Sequence, residues 1–316
     1  MARSFLLSLY VFSVLFVTLV VYYHLGISSF PDYNGYVMMA EGVGHGYFTE
    51  FLSQWFLRIG QQRTIVDDPV MLLSAVSNAI VILLLIFLIL KKNSQAYGIA
   101  IYCSLYAPLF LTTVLRAAPL YVFAFVIFSM YRHRSLKFYI LVIAAFGVFF
   151  HDTVLLFVLA LLFAGLLRKI NMNQSYRFPF AACIVLLVLS FVFSSGISGG
   201  GFDSLGARVV YLEGDNEGTL AKVVYLTFVT LVSYRFIRDF KTSPEERSIL
   251  IALLSFTLIL NLFSSTLAVR FSTLAVGYVI AVRGVLLFRF EKVGVNPLVL
   301  LPGLCALYLI RFSMLM

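Results

Sequence analysis

Long apolar runs alternate with short polar breaks along nearly the whole chain. The first run is Phe5 to Tyr23. Others cover residues 69–90, 97–115, 117–131, 138–150, 153–167, 179–194, 219–237, 248–264, 271–288 and 297–314. This pattern predicts an all-α polytopic membrane protein of about eleven transmembrane helices, within a range of about ten to twelve. Several runs are shorter than the roughly 20 residues of a straight bilayer crossing. Tilted, broken or re-entrant helices are therefore expected near 108–131 and 136–167. The stretch from about Gly26 to Asp68 departs from the pattern. It is polar, and in it Phe48, Phe51, Leu52, Trp55, Phe56 and Ile59 recur at helical spacing. That spacing predicts an amphipathic helix lying in the interface. A second long polar loop covers 195–218.

Composition makes lipid the expected solvent. Residues of the class AVILMFWYC form 62% of the chain and charged residues 12%. A soluble domain is near half apolar and a quarter charged. So little polar surface does not cover a globule in water, whereas spanning helices need none. No Pro/Ser-rich linker or low-complexity tract divides the 316 residues, so one polytopic domain over 1–316 is expected. No internal repeat stands out, so the inverted-repeat mark of many secondary transporters is missing. No small-x-small cleavage site follows the first run, which predicts an uncleaved first span. Cys103, Cys183 and Cys305 sit inside apolar runs, with neither disulfide nor zinc spacing.

The net charge of +9 reads as a topology signal rather than a nucleic-acid footprint, because the basic residues fall in short turns. With the N-terminus cytoplasmic and the spans alternating, sixteen of the 23 Lys and Arg fall on inner turns. The outer side keeps seven: Arg58, Arg63, Arg116, Arg208, Lys222, Arg270 and Arg311. It also collects ten of the 14 acids. The loops at 26–68 and 195–218 are then periplasmic, and so is the C-terminus.

The outer charges are the candidates for chemistry. Arg116 stands in the break Thr112-Thr113-Val114-Leu115-Arg116-Ala117-Ala118-Pro119. A charge at that depth faces a cavity or a partner. Arg270 follows Ser264-Ser265-Thr266, and Arg208 lies in a glycine-rich loop. The planar guanidinium fork suits a pyrophosphate. Each arginine can equally snorkel to the interface or pair with an acid. His151-Asp152 closes the run that begins at Arg132-His133-Arg134 and Lys137. His151 suits a general base for a sugar hydroxyl, or a backbone-bonded helix end. Asp152 can instead cap the next helix with Thr153. Asp32, Tyr33, Tyr36 and Glu41 offer groups that hydrogen-bond and stack on sugars, though tyrosines also fill ordinary aromatic belts. P-loop, Rossmann, HExxH and GxSxG signatures are absent. No D-x-D pair exists, which argues against a metal-dependent nucleotide-sugar transferase, and no metal or other cofactor is expected.

An arginine with small residues opening a short span, a basic turn, and an aromatic-histidine stop together resemble the EpsG-like membrane proteins. These belong with the Wzy-type polymerases of O-antigen and exopolysaccharide. Their pattern is roughly Arg-Gln-x-x-Ala, a span, Lys/Arg-rich residues, a span, then Phe-His-x-Ser/Thr. Here it stands as Arg116-Ala117-Ala118-Pro119, Arg132-His133-Arg134 and Phe150-His151-Asp152-Thr153, with Ala117 in place of the glutamine. The early Asp32, Tyr33, Tyr36 and Glu41 and the late Arg270 are similar to the family's layout. The resemblance implies an inner-membrane glycosyltransferase that joins undecaprenyl-pyrophosphate-linked oligosaccharide repeat units at the periplasmic face, without nucleotide sugar. It implies pyrophosphate binding by Arg116, Arg270 and Arg208, and base or acceptor duty for His151, Asp32 or Glu41. Tyr33, Tyr36 and Asp152 are then the acceptor-sugar contacts. Its partners would be the lipid-linked donor and acceptor, membrane lipid and a chain-length regulator. A flippase of the lipid-linked oligosaccharide is the main rival and would need polar residues at the midplane or on both faces. A membrane acyltransferase would need a histidine reached from the cytoplasm, where only His133 lies. A structural subunit would tolerate changes of single outer-face charges.

Overall fold

The computed structural model describes residues 2–30, 33–41, 51–62, 68–91, 96–131, 135–147, 149, 153–169, 181–182, 184–185, 219–238, 243–261, 265–283 and 297–313. Among the described residues the chain is all-helical. Its helices are α1 (Ala2–Leu25), α2 (Tyr33–Ala40), α3 (Phe51–Gln62), α4 (Pro69–Lys91), α5 (Ala96–Thr112) and α6 (Ala118–Met130). They continue with α7 (Leu136–Gly147), α8 (Thr153–Lys169), α9 (Thr219–Arg238), α10 (Pro244–Asn261), α11 (Ser265–Arg283) and α12 (Pro297–Ser313). A 3-10 turn, Ile27–Ser29, follows α1.

By length and composition, α1 over Phe5–Leu25 and α4 over Val70–Lys91 can cross a membrane. Helices α5, α6, α7 and α12 are apolar but shorter. At 1.5 Å per residue, the 13 residues of α6 reach about 20 Å and the 12 of α7 about 18 Å. The hydrocarbon core of a bilayer is about 30 Å thick. Helices α6 and α7, within the regions 108–131 and 136–167, are thus shorter than a straight crossing of that core. The helix read from the Phe48–Ile59 spacing is also present, as α3, preceded by the short α2.

Helix α8 shows what surrounds the fold. Val154, Phe157, Ala160, Leu161 and Ala164 are buried, while Leu155, Leu159, Leu162 and Leu166 lie exposed on the other side. Helix α1 does the same, burying Leu7, Val11 and Val14 and exposing Phe5, Leu9, Phe12 and Phe16. A helix on the surface of a soluble globule places polar residues on its outer side. An outer side of Leu and Phe suits hydrocarbon.

The chain forms two compact units. The first comprises Met1–His133, Val142–Val154 and Ile280–Met316. In it α1 packs on α5, α4 on α3 and α6, and α12 on α5. Nearly all of α5 and α6 is buried, so these two helices are the core of the unit. Tyr102 stacks on Phe125 and Phe123 on Phe146, each pair with ring centroids 3.9 Å apart. Tyr10 and Ser104 share a hydrogen bond of 2.7 Å between α1 and α5, and Thr18 and Tyr308 one of 2.9 Å between α1 and α12.

The second unit comprises Arg134–Leu141 and Leu155–Val279. Its centre is α10, buried along most of its length. That helix starts with a reciprocal capping box. The Glu246 N–H donates to the Ser243 hydroxyl at 3.2 Å, and the Ser243 N–H to the Glu246 carboxylate at 3.0 Å. Next to it, Glu245 accepts the Leu136 N–H at 3.2 Å and pairs with Arg168 at 3.4 Å. One carboxylate thus ties together the start of α7, the end of α8 and the start of α10.

Candidate functional site

The site is built around residues 113–117, the turn between α5 and α6. Val114 and Leu115 read as helix in the sequence, yet α5 stops at Thr112. The reason is local. The Leu109 carbonyl takes the N–H of both Thr113, at 3.1 Å, and Val114, at 3.0 Å. The Thr112 hydroxyl meanwhile donates to the Pro108 carbonyl. Helix α6 then starts with Pro119 in its first turn, where a missing N–H costs nothing.

Two other helices fix this turn. The phenol of Tyr36, buried on α2, donates to the Thr113 carbonyl at 2.8 Å. The Ser77 hydroxyl of α4 donates to the Leu115 carbonyl. The Val114 carbonyl takes the Ala118 N–H at 2.8 Å. Three successive carbonyls beside Arg116 therefore have named partners, as buried backbone requires. The half-buried Arg116 places its guanidinium carbon 5.5 Å from the centroid of the Tyr36 ring, within cation–π range. Leu115 and Tyr36 belong to one apolar cluster with Tyr22, Phe30, Leu57 and Val70.

Tyr33 lies one turn before Tyr36 on α2. Burial first, and Asp68 second, push the Tyr33 phenol above its ordinary pKa. Asp68 also caps α4. Its Oδ1 accepts the Val70 N–H at 2.8 Å and its carbonyl the Met71 N–H at 3.1 Å. With Pro69 in the first helical position this is a standard helix start. A narrow cleft lies among Tyr22, Ile27, Tyr33, Tyr36, Val70, Thr112 and Leu115, with no room for a whole water molecule.

The structure thus brings Tyr33, Tyr36 and the Arg116 turn together. Glu41 is exposed just past the end of α2, its N–H bonded to the Val37 carbonyl at 3.0 Å. Arg270 lies in the second unit and is half-buried. The sequence sets it in a polar break before a span beginning at 271. The helix instead starts at Ser265 and includes Arg270, between the buried Ala268 and Phe271. Asp32, His151, Asp152 and Arg208 lie outside the described residues. Two described residues that flank His151 and Asp152 are informative. A Cβ on Gly147, the last residue of α7, would come 2.4 Å from Val154 Cγ2 and 2.8 Å from Leu120 Cδ1. The end of α7 and the start of α8 therefore meet the first turn of α6, four residues past Arg116. The Phe149 carbonyl also accepts the Leu52 N–H of α3 at 3.0 Å.

Asp68 and Ser77 escaped the sequence reading as site residues. Each leaves a signal. Asp68-Pro69 opening an apolar run marks a cap, and Ser74, Ser77 and Asn78, spaced at three and four, mark a polar face inside that run. All three are buried. Among the described residues, no three His, Cys, Asp or Glu side chains gather as metal ligands would. No protein-family model, curated protein or solved structure matches this chain.

Proposed function

We propose that this chain is an integral membrane glycosyltransferase that joins oligosaccharide repeat units carried on undecaprenyl pyrophosphate, like the O-antigen and exopolysaccharide polymerases it resembles. In this reading about eleven spans cross the bacterial inner membrane from a cytoplasmic N-terminus. Helices α2 and α3 and the 113–117 turn lie at the periplasmic face. The observation that carries the proposal is Arg116, a half-buried cation on a turn tied to α2 and α4 and lying over an aromatic ring.

The chemistry asks for such a group. The acceptor hydroxyl oxygen attacks the anomeric carbon of the donor, and the bond from that carbon to the pyrophosphate oxygen breaks. The bonding pair leaves on the pyrophosphate, and a fixed guanidinium stabilises the developing charge. His151, Asp32 and Glu41 remain the acid and base candidates from the sequence, and Tyr33, Tyr36 and Asp152 the acceptor contacts.

The test uses purified protein in nanodiscs. The substrate is lipid-pyrophosphate-linked oligosaccharide extracted from cells that lack this chain, with no nucleotide sugar and no metal. A ladder of products is expected from the wild type, and its loss from Arg116→Ala and from Arg270→Ala. Absence of a ladder, with transbilayer movement of the lipid instead, would sink the enzyme reading. One observation favours that rival, a flippase. Asn78 lies near the middle of α4, buried, and its Oδ1 has no hydrogen-bond partner among the described residues. Polar groups at such depth also line transport paths.

A further inference from the structure

The end of the second unit where α7 and α10 begin and α8 finishes carries charges that the proposed chemistry does not use. Arg168 pairs with Glu245 at 3.4 Å, and the same carboxylate accepts the Leu136 N–H at 3.2 Å. Lys137 follows Leu136 and Lys169 follows Arg168, so three exposed cations gather around one acid. Glu246, the next acid, is buried in the capping box of α10. Among the described residues no carboxylate pairs with Lys137 or Lys169. The Arg168 side chain stays 57% exposed beside Glu245, so its guanidinium keeps donors to offer. The Leu136 and Phe138 N–H groups are taken, by Glu245 and by the Ser135 carbonyl at 3.0 Å, which leaves the side chains to meet an anion.

Apolar surface continues from these charges. From Lys169 an exposed stripe runs back along α8 through Leu166, Leu162, Leu159 and Leu155, at spacings of three and four. Lys137 likewise has the exposed Leu141 one turn along α7. The α8 stripe covers about 21 Å. One leaflet holds roughly 15 Å of hydrocarbon. A free phosphate uses only the cations, and an acidic protein segment gains little from a row of leucines. A molecule with an anionic head and a long apolar tail uses both. We propose that Lys137, Arg168 and Lys169 bind the phosphate of an anionic phospholipid whose acyl chain lies along the α8 stripe. Two phosphodiester oxygens suit the planar fork of Arg168, and the lysines add point charges. Glu245 ties Arg168 to the starts of α7 and α10, so the headgroup meets a corner fixed by three helix ends. In the orientation given by the charge bias this end faces the cytoplasm, where the leaflet is anionic.

The test needs no substrate. Purified protein in an uncharged detergent is titrated with short-chain phosphatidylglycerol, with phosphatidylcholine of the same chains, and with inorganic phosphate. Bound molecules are counted by native mass spectrometry. The wild type is expected to bind phosphatidylglycerol at least about 10-fold more tightly than phosphatidylcholine. The double variant Lys137→Gln/Lys169→Gln leaves the Arg168–Glu245 pair in place. It should weaken phosphatidylglycerol binding roughly 10- to 30-fold, since each cation near an anionic surface contributes about 5-fold. Arg168→Gln should lose at least as much as either lysine alone. Lys91 is an exposed cation on α4 of the first unit, with exposed Phe87 and Leu83 on the turns before it. Lys91→Gln should change binding less than about 2-fold. A loss from Lys91→Gln equal to that of the lysine pair would make the preference a property of any basic helix end and overturn the site. Equal affinity for the two lipids would overturn it too. Inorganic phosphate bound as tightly as phosphatidylglycerol would show an ion site without a tail, and sink the lipid assignment. Should Arg168→Gln fail to fold, the lysine pair decides alone. None of these outcomes depends on ladder formation, so the glycosyltransferase reading and this site stand or fall separately.

Discussion

At Arg116 the cation and the backbone that carries it are held by different groups, so their contributions separate by substitution. Arg116→Lys keeps the charge and loses the planar fork. A hydrogen bond to a charged group contributes about 1.5–3 kcal/mol, so turnover should fall roughly 10- to 100-fold, measured as ladder formation. Tyr36→Phe keeps the ring under the guanidinium and takes the donor from the Thr113 carbonyl. A loss of about 1–3 kcal/mol in unfolding free energy is expected, measured by denaturant titration in detergent, because a buried acceptor is left without its partner. Little in the sequence pointed to this pairing. Tyr36 reads equally well as a belt residue, and its bond reaches a backbone carbonyl 77 positions away.

Between helices, the close approach of α6, α7 and α8 depends on the missing side chain of Gly147. Gly147→Ala puts a methyl 2.4 Å from Val154 Cγ2. An overpacking cost of about 1–3 kcal/mol is expected. Adding Val154→Gly removes both Val154 atoms nearer than 3.0 Å and should recover part of the turnover lost with Gly147→Ala, since Leu120 Cδ1 can swing away. Failure of that second change to restore any activity would show that the contact is not what matters. At this scale much was legible. The apolar runs at 5–23 and 69–90 became α1 and α4 within a few residues, and the aromatic spacing near Trp55 became α3. The errors lie at helix ends. Helix α5 ends at Thr112 although its apolar run continues to Leu115, and the Ser-Ser-Thr run before Arg270 leads into a helix although it reads as a loop.

For the molecule as a whole, the exposed Leu and Phe of α1 and α8 predict a dependence on lipid or detergent. Its single tryptophan gives a direct measure of depth. Trp55 is 48% exposed on α3, with Arg58 exposed on the same helix. An amphipathic helix seated in the interface holds its aromatic residue at the level of the headgroups. Lipids brominated near the carbonyls should quench its fluorescence more than lipids brominated near the chain ends, and the reverse order would show that α3 is not interfacial.

The shortness of α7 carries a mechanical consequence. Leu141 is 71% exposed, so in a membrane this helix would offer hydrocarbon a surface only about 18 Å tall. A bilayer meeting so low a wall thins locally, at a cost of fractions of a kcal/mol per ångström of mismatch. If the proposed polymerase reading holds, shorter acyl chains should speed the reaction and longer ones slow it, as read by ladder formation across nanodiscs of graded chain length. Under the proposed function, such a dimple would draw a long polyprenyl tail toward the protein by membrane elasticity, and its headgroup would have a shorter distance to travel before it reached Arg116.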